Sequence, residues 1–268
     1  MTSITPRAAD AIIRCWIDDP APGDVNMAAD EWLAGFAVGT GLPVVRFSCW
    51  SAATLSLGAF QESAAVPAGL AELPLVRRPS GGGAILHGTD LTCTVAVPRV
   101  HAWGGEAQRL YDEVHRALVA VLGAAGVEAA LHPGPDGPQD VAAEPDAYLC
   151  FDRRARGDMV MPDGGGNWAK VLGSAQRRHR AAVVQHGSLL WTTNPAGGAH
   201  AHRGLAELAA AQGRRLDREM VRDRWLAAIT QASGLSLALQ QGCTWDMDGS
   251  GIAAIATRFR DPAWIHRR

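Results

Sequence analysis

Eleven consecutive residues constrain this chain more than any others: Arg77-Arg78-Pro79-Ser80-Gly81-Gly82-Gly83-Ala84-Ile85-Leu86-His87. Three glycines in a row are costly to order, because each loses more backbone freedom on folding than any other residue would. Such a run is kept where the backbone takes positive φ or where something must approach the main chain closely. Exposed N–H groups in a turn of this kind can hold a carbonyl or phosphate oxygen, and Arg77 and Arg78 supply positive charge beside them. The glycines alone fit a plain hairpin loop equally well; the arginines and His87 favour a ligand loop. It is not a phosphate-binding P-loop, since the Gly-x4-Gly-Lys-Ser/Thr pattern is absent and no helix signal follows. Leu75 and Val76 lead into the loop. After it, Leu91, Cys93, Val95 and Val97 alternate with Thr92, Thr94 and Ala96, which predicts a strand with Cys93 on its buried face.

The rest of the chain reads as mixed α and β. A short strand is expected near Ile12 to Ile17, then a helix capped by Asn26 and running from Met27 to about Ala37, with Ala28, Trp32 and Phe36 as its buried stripe. Val44 to Phe47 and the alternating Leu55 and Leu57 read as strands, with Trp50 a core aromatic. A helix from about Glu106 to Leu122 carries His115 as a surface or internally satisfied histidine. Residues 132–147 are rich in Pro, Gly and Asp and read as loop. Asp158 to Met161, Lys170 to Ala175 and Val183 to Trp191 read as strands, the last interrupted at His186-Gly187. The Gly164-Gly165-Gly166 run between the first two is turn chemistry rather than a site. Helices follow at Arg203 to Gln212 and after a cap at Asp217, closed by Gly234. The tail carries no clear signal.

A chain of 268 residues with 47% hydrophobic and 19% charged residues can bury a large core, and no linker or repeat divides it, so one domain is expected over 1–268. A net charge of −2 gives no bulk attraction to nucleic acid or to an acidic membrane. No apolar run approaches a membrane span and no secretory leader is visible. The five cysteines are scattered without metal spacing, which points to reduced thiols, a cytoplasmic location and no metal. Cys150 differs in context. It ends a long irregular segment, where functional side chains concentrate, although a buried thiol between Leu149 and Phe151 fits the local sequence too. Lys170 is the only lysine among 25 basic residues. In a chain that otherwise uses arginine throughout, this suggests a need for a compact ammonium that a guanidinium cannot replace.

Three signatures therefore stand in one order: RRPSGGGAILHGTDLTCTV at 77–95, CF at 150–151, and KVLGSAQRR with QHGSLL over 170–190. Together they resemble the lipoate/biotin protein ligase catalytic domain. NMAADEWL at 26–33 and VRFSCWSAATLSLGAFQ at 45–61 are similar to that family as well, so the likeness runs from about residue 15 to 232. The resemblance implies an α+β fold, with a mixed, largely antiparallel sheet and flanking helices. It implies an acyl pocket lined by Ser80, Gly81, Gly82, Gly83, His87, Lys170, Gly173, Ser174, Ala175 and Gln176, with Arg77, Arg78, His186 and Gly187 also binding substrate. The hairpin at 162–169 is longer than the family pattern leads one to expect, and the loop at 132–147 is more polar.

Cys150-Phe151 is similar to the pair that marks a cysteine-dependent octanoyltransferase branch. The resemblance then implies octanoyl-acyl carrier protein as donor and a lipoyl-domain protein as acceptor, either a glycine cleavage H protein or a dehydrogenase E2 subunit, with no cofactor. Cys150 would be the nucleophile and Lys170 its partner, because an adjacent ammonium favours the reactive thiolate. Backbone N–H groups of the Gly81–Gly83 loop, or near Gly173 to Ala175, would hold the oxyanion. Lys170 or His87 would take the proton of the acceptor amine. An apolar tunnel contributes about 0.8 kcal/mol per buried CH₂, so chain length is selected only roughly. Three alternatives stay open. An ATP- and Mg-dependent lipoate ligase would use the arginine pair on the α-phosphate. A non-catalytic acyl-domain binding module would keep the pocket without turnover. A biotin ligase would leave the Cys-Phe pair idle.

Overall fold

The computed structural model describes residues 12–134, 147–246 and 251–268. Residues 135–146 of the expected polar loop lie outside the described residues. In chain order the elements are β1 (Ile12–Ile17), α1 (Gly23–Thr40), β2 (Val44–Ser48), β3 (Thr54–Leu57), β4 (Leu75–Arg77), β5 (Ile85–His87) and β6 (Asp90–Pro98). Then come α2 (Ala102–Gly105), α3 (Ala107–Ala124), β7 (Ala130–Leu131), β8 (Met159–Pro162), β9 (Trp168–Arg178) and β10 (Ala182–Leu190). The chain continues with α4 (Leu205–Ala211), α5 (Arg218–Ser233), β11 (Ser236–Leu239), α6 (Ile252–Arg260) and α7 (Pro262–Ile265).

Two sheets result. The larger has strand order β11-β1-β2-β6-β10-β9-β8-β7, and the smaller β4-β3-β5. β1 runs parallel to β11 and β2, and β3 parallel to β4; the remaining pairs are antiparallel. The fold is thus α+β and largely antiparallel. The period-2 pattern of β6 shows why the site lies where it does. Leu91, Cys93, Val95 and Val97 pack into the main core with Val114 and Leu118 of α3 and Trp225 of α5. Thr92 and Thr94 point to the other face, where they meet Trp50 and Asp30. Farther along that second face, α1 packs through Leu33 and Ala37 on Trp16, Val44 and Val184.

Three expectations need correction. The first helix begins at Gly23 behind Pro22, which makes no side-chain cap, so Asn26 is not its cap. Asn26 is buried within the helix: its Nδ2 donates to the carbonyls of Ala21 and Cys49, and its Oδ1 accepts from Arg46. Arg46 in turn is ion-paired with Asp18 and Asp30, so a buried polar network claims a residue whose local chemistry suits a cap. Second, β10 runs unbroken through His186-Gly187. A Cβ at Gly187 would lie 2.4 Å from Ser174 Oγ, so that glycine makes room for a neighbour instead of ending a strand. Third, the described part of the tail carries regular structure. β11 adds to the sheet edge beside β1, and α6 packs Ile252, Ala256 and Phe259 against Met27 and Ala28 of α1. The 163–167 turn is as expected, with Asp163 Oδ1 accepting from the N–H groups of Gly165 and Asn167. Among the described residues no helix is long and apolar enough to cross a membrane.

Candidate active site

The glycine loop is fastened on both sides. Ala59 N–H donates to Ser80 O at 2.7 Å, Ala84 N–H to Tyr148 O at 2.9 Å, and Cys150 N–H to Ala84 O at 2.8 Å. These bonds set Cys150, at the start of a short 3-10 turn (Cys150–Asp152), directly against the loop. Gly83 must be glycine here, because a Cβ would lie 2.8 Å from Cys150 N. Gly82 takes φ +93°, which L side chains rarely adopt. Among the described residues, the N–H groups of Gly81, Gly82 and Gly83 have no hydrogen-bond partner. The N–H of Ser174 is spent on Tyr111 Oη at 3.2 Å, so the two oxyanion options of the sequence are not equivalent.

Arg77 and Arg78 sit differently from what their place beside the loop suggests. Both are buried. Arg77 donates to the carbonyls of Gly58, Gln61 and Ile265. Arg78 donates to those of Ser56, Gly81 and Gly83. A buried guanidinium needs acceptors, and main-chain carbonyls take most of these donors, while Arg77 Nη2 and Arg78 Nε have no partner among the described residues. The pair is therefore loop scaffold first. Burial pushes the Arg78 pKa down to about 10, with the charge of Cys150 acting in the opposite sense, so Arg78 stays a cation at neutral pH.

Lys170 comes from β9. Its Nζ lies 3.5 Å from Cys150 Sγ and 3.1 Å from Cys150 O, and 5.5 Å from the centre of the Phe151 ring. Asp158 Oδ2, 2.7 Å away, fixes the ammonium from the other side. Burial works against that charge, but Cys150 and Asp158 outweigh it, and the lysine pKa is raised above its ordinary value. Asp158 is itself held by Tyr111 Oη at 2.6 Å and by Ala155 N–H at 2.7 Å. Behind them His115 is wholly buried, bonded to Gly157 O at 2.7 Å and Ser174 Oγ at 2.6 Å. Burial pushes its pKa down to about 4, so it is neutral; Nδ1–H donates to the carbonyl and Nε2 accepts from the serine. Cys15, Cys49, Cys93 and Cys243 have their thiols pushed up by burial, which disfavours their thiolates.

The remaining residues expected at the site fall into two further groups. Ser80 Oγ lies 2.5 Å from His186 Nε2, and His186 Nδ1 is 3.3 Å from Asp30 Oδ2. This chain ties the glycine loop to β10 and α1. His87 Nδ1 bonds Asp90 at 2.7 Å while its ring stacks on Trp50 with centroids 3.8 Å apart. Gln176 donates to Gln185 across the β9–β10 pair, where Ala175 stands opposite His186. The sequence did not mark Asp158, Tyr111, Asp30 or Asp90 as site residues. The local signal for Asp158 is only its place at the start of the expected strand, twelve residues before Lys170.

The alternation of β5 opens two narrow clefts. Ala84 and Leu86 line one with Leu149, Phe151 and Leu190. Ile85 and His87 line the other with Met27, Trp50, His186 and Gly187.

Comparison with known proteins decides the family. Residues 22–230 match the lipoyl protein ligase A/B catalytic domain. The chain belongs to that family. Octanoyltransferase LipM of Symbiobacterium thermophilum is 35% identical over 242 residues, covering 81% of this chain and 84% of the relative. Octanoyltransferase LipM of Staphylococcus aureus is 33% identical over 173 residues, covering 62% of this chain and 60% of the relative. The fold is likewise that of the family's solved members. A bi-partite lipoate protein ligase from Thermoplasma acidophilum superposes with a TM-score of 0.68 at 17% identity, covering 96% of each chain. A lipoate-protein ligase A bound with ATP gives 0.66 at 18%, covering 94% of this chain and 98% of that one.

Proposed function

We propose that this family member is an octanoyltransferase of lipoate biosynthesis working through a thioester on Cys150. The observation that carries the reading is the 3.5 Å approach of Lys170 Nζ to Cys150 Sγ, beside three free N–H groups. The names of the relatives support the transferred group and the reaction class.

The Cys150 thiolate attacks the carbonyl carbon of an octanoyl thioester on acyl carrier protein, forming a tetrahedral oxyanion. The N–H groups of Gly81 to Gly83, unpartnered among the described residues in a loop that packs on the Cys150 main chain, are suited to hold that oxygen. Collapse expels the carrier thiolate and leaves Cys150 S-octanoylated. In the second half the neutral ε-amine of a lipoyl-domain lysine attacks the new thioester, Cys150 leaves as thiolate, and an amide forms. The proton lost by the amine balances the one gained by the carrier thiol. Lys170 is a better proton relay than His87. Its charge is favoured by the thiolate and by Asp158, so acylation of the sulfur removes one of the two influences that keep it protonated. His87, by contrast, is turned towards Asp90 and Trp50. The acyl chain occupies the cleft of Met27, Trp50, Ile85 and His186, on the face to which His87 points. The engagement of both arginines with carbonyls favours this reading over an ATP-dependent ligase, which would want them on a phosphate.

The test is intact mass after mixing with octanoyl-acyl carrier protein. A gain of one octanoyl group in the parent and none in Cys150→Ala, with loss of transfer to a lipoyl domain, is expected. Full transfer by Cys150→Ala, or dependence on ATP and free octanoate, would replace the covalent reading by the ligase.

A further inference from the structure

On the outer side of the glycine loop lies a cleft of about 410 Å³ lined by Ala59, Phe60, Pro79, Arg177, Trp264, Arg267 and Arg268. Among the described residues its cations have no carboxylate partner, although Arg267 Nη2 donates to Ala59 O at 3.2 Å. Arg267 stacks on Trp264 at 3.9 Å from the ring centre, and Arg268 reaches over Phe60 at 5.6 Å. Among the described residues, no carboxylate lies within ion-pair distance of Arg177, Arg267 or Arg268. Glu31 and Asp24, the acids that meet α6, are paired with Arg258 and Arg260. Burial, then the charges of Arg268, Arg177 and Arg258, all depress the Arg267 pKa, so every charge acting strongly on that guanidinium is positive. Phe60, at 68% exposed, leaves an aromatic face open beside them. Like charges gathered without counter-charge cost free energy unless an anion completes them.

The cleft adjoins the active-site loop itself. Pro79 is followed by Ser80, whose carbonyl is bonded to Ala59 N–H, and a Cβ on Gly81 would lie 3.7 Å from the Phe60 ring. Two residues later Gly83 touches the main chain of Cys150. We propose that this arginine cleft is the docking surface for the acyl donor: an acidic carrier protein whose thioester arm is joined through a phosphodiester. The phosphodiester sits among Arg177, Arg267 and Arg268, with Phe60 and Trp264 packing against the arm, which then crosses the glycine loop to Cys150. Guanidinium forks suit phosphate oxygens. The acceptor does not fit this cleft, because it arrives with a lysine, which three arginines repel. The inference rests on the transferase reading above for the identity of the arm.

Arg177→Glu/Arg268→Glu is the test variant, since both residues are exposed and neither side chain donates a hydrogen bond that the fold uses. Binding of octanoyl-acyl carrier protein is measured in a Cys150→Ser background, and its affinity is expected to fall at least about tenfold, with a flatter salt dependence. Carrier protein lacking the phosphodiester arm binds the unreversed protein more weakly than the armed form. Acylation of Cys150 by the small neutral thioester S-octanoyl-N-acetylcysteamine, and affinity for a lipoyl domain, stay within about twofold. Carrier affinity unchanged by the reversal, or a loss confined to the lipoyl domain, would overturn the proposal. The two readings fail separately. If no thioester acylates Cys150 but the reversal still weakens carrier binding, the transferase chemistry is wrong and the docking surface stands. If acylation proceeds and the reversal changes nothing, the docking surface is wrong and the chemistry stands.

Discussion

Gly173 is the most revealing position to perturb. It lies on β9 three residues after Lys170, and a Cβ built there falls 2.5 Å from Lys170 Cε and 2.8 Å from its Nζ. Ordinary carbon contacts lie at about 3.5–4.0 Å, so in Gly173→Ala the end of the lysine must move by about 1 Å or more. The clash falls on the flexible end of a side chain, so the fold can yield, and it yields by displacing the ammonium. The 2.7 Å contact to Asp158 and the 3.5 Å approach to Cys150 are both set by that atom. Overpacking of this kind costs about 1–3 kcal/mol of stability. A displacement of about 1 Å at a reacting group costs on the order of 10²-fold in rate. We expect Gly173→Ala to remain folded while acylation of Cys150 by a small octanoyl thioester slows about 10²-fold, followed by rapid quench and intact mass. Alkylation of Cys150 by iodoacetamide at neutral pH should slow in parallel, since it reads the same thiolate without the acyl pocket. Gly35→Ala in α1 is the control, because nothing lies within 4 Å of its added Cβ. A folded Gly173→Ala protein acylated within about threefold of the parent would show that the position of Lys170 does not govern the sulfur.

Three further outcomes are expected. Lys170→Arg keeps the charge but brings a larger planar head into the space beside Gly173, so transfer should fall on the order of 10²-fold with charge conserved; near-parent transfer would show that any cation suffices. Gly82→Val places a branched residue at φ +93° with its Cβ 3.1 Å from Arg78 Nη2. It should lose about 1–3 kcal/mol by denaturant titration and most of its transfer activity, whereas unchanged kinetics would reduce the loop to a hairpin. His115 has its folded pKa depressed to about 4 by burial, while the unfolded chain titrates at the ordinary value of 6.5. Its neutral burial therefore carries no penalty above pH 6.5, and stability is lost as pH falls from there towards 4, by about 2 kcal/mol between pH 8 and pH 5. His115→Gln should flatten that part of the urea-midpoint profile against the parent, and equal slopes in the two proteins would exclude His115 as its source.

What the sequence determined on its own is whatever short range chemistry decides. The alternation of Leu91 to Val97 sorts its side chains to two faces without reference to any partner, and β6 follows it. Asp217 caps α5 by accepting from Met220 N–H, and Gly234 closes it in the left-handed conformation, both as local turn chemistry requires. Cys150, Lys170 and the triple glycine were conspicuous as residue types, and the resemblance they carry gave their order meaning. Tertiary structure decided the rest, because the remaining choices are made between residues far apart in the chain. Asn26 looks like a helix cap until Arg46 and two distant carbonyls claim it. Arg77 and Arg78 look like open loop cations until the fold buries them and sets most of their donors on carbonyls. Asp158 gains its place only when β8 and β9 pair and bring it to Lys170. The tail shows the limit most plainly. Four-residue β11 and α7 are too short to have a periodicity, and Arg267 and Arg268 become a cation cluster only when α6 packs on α1 and carries them to Phe60 and Pro79. A charge has no meaning as a site until the fold has chosen what surrounds it.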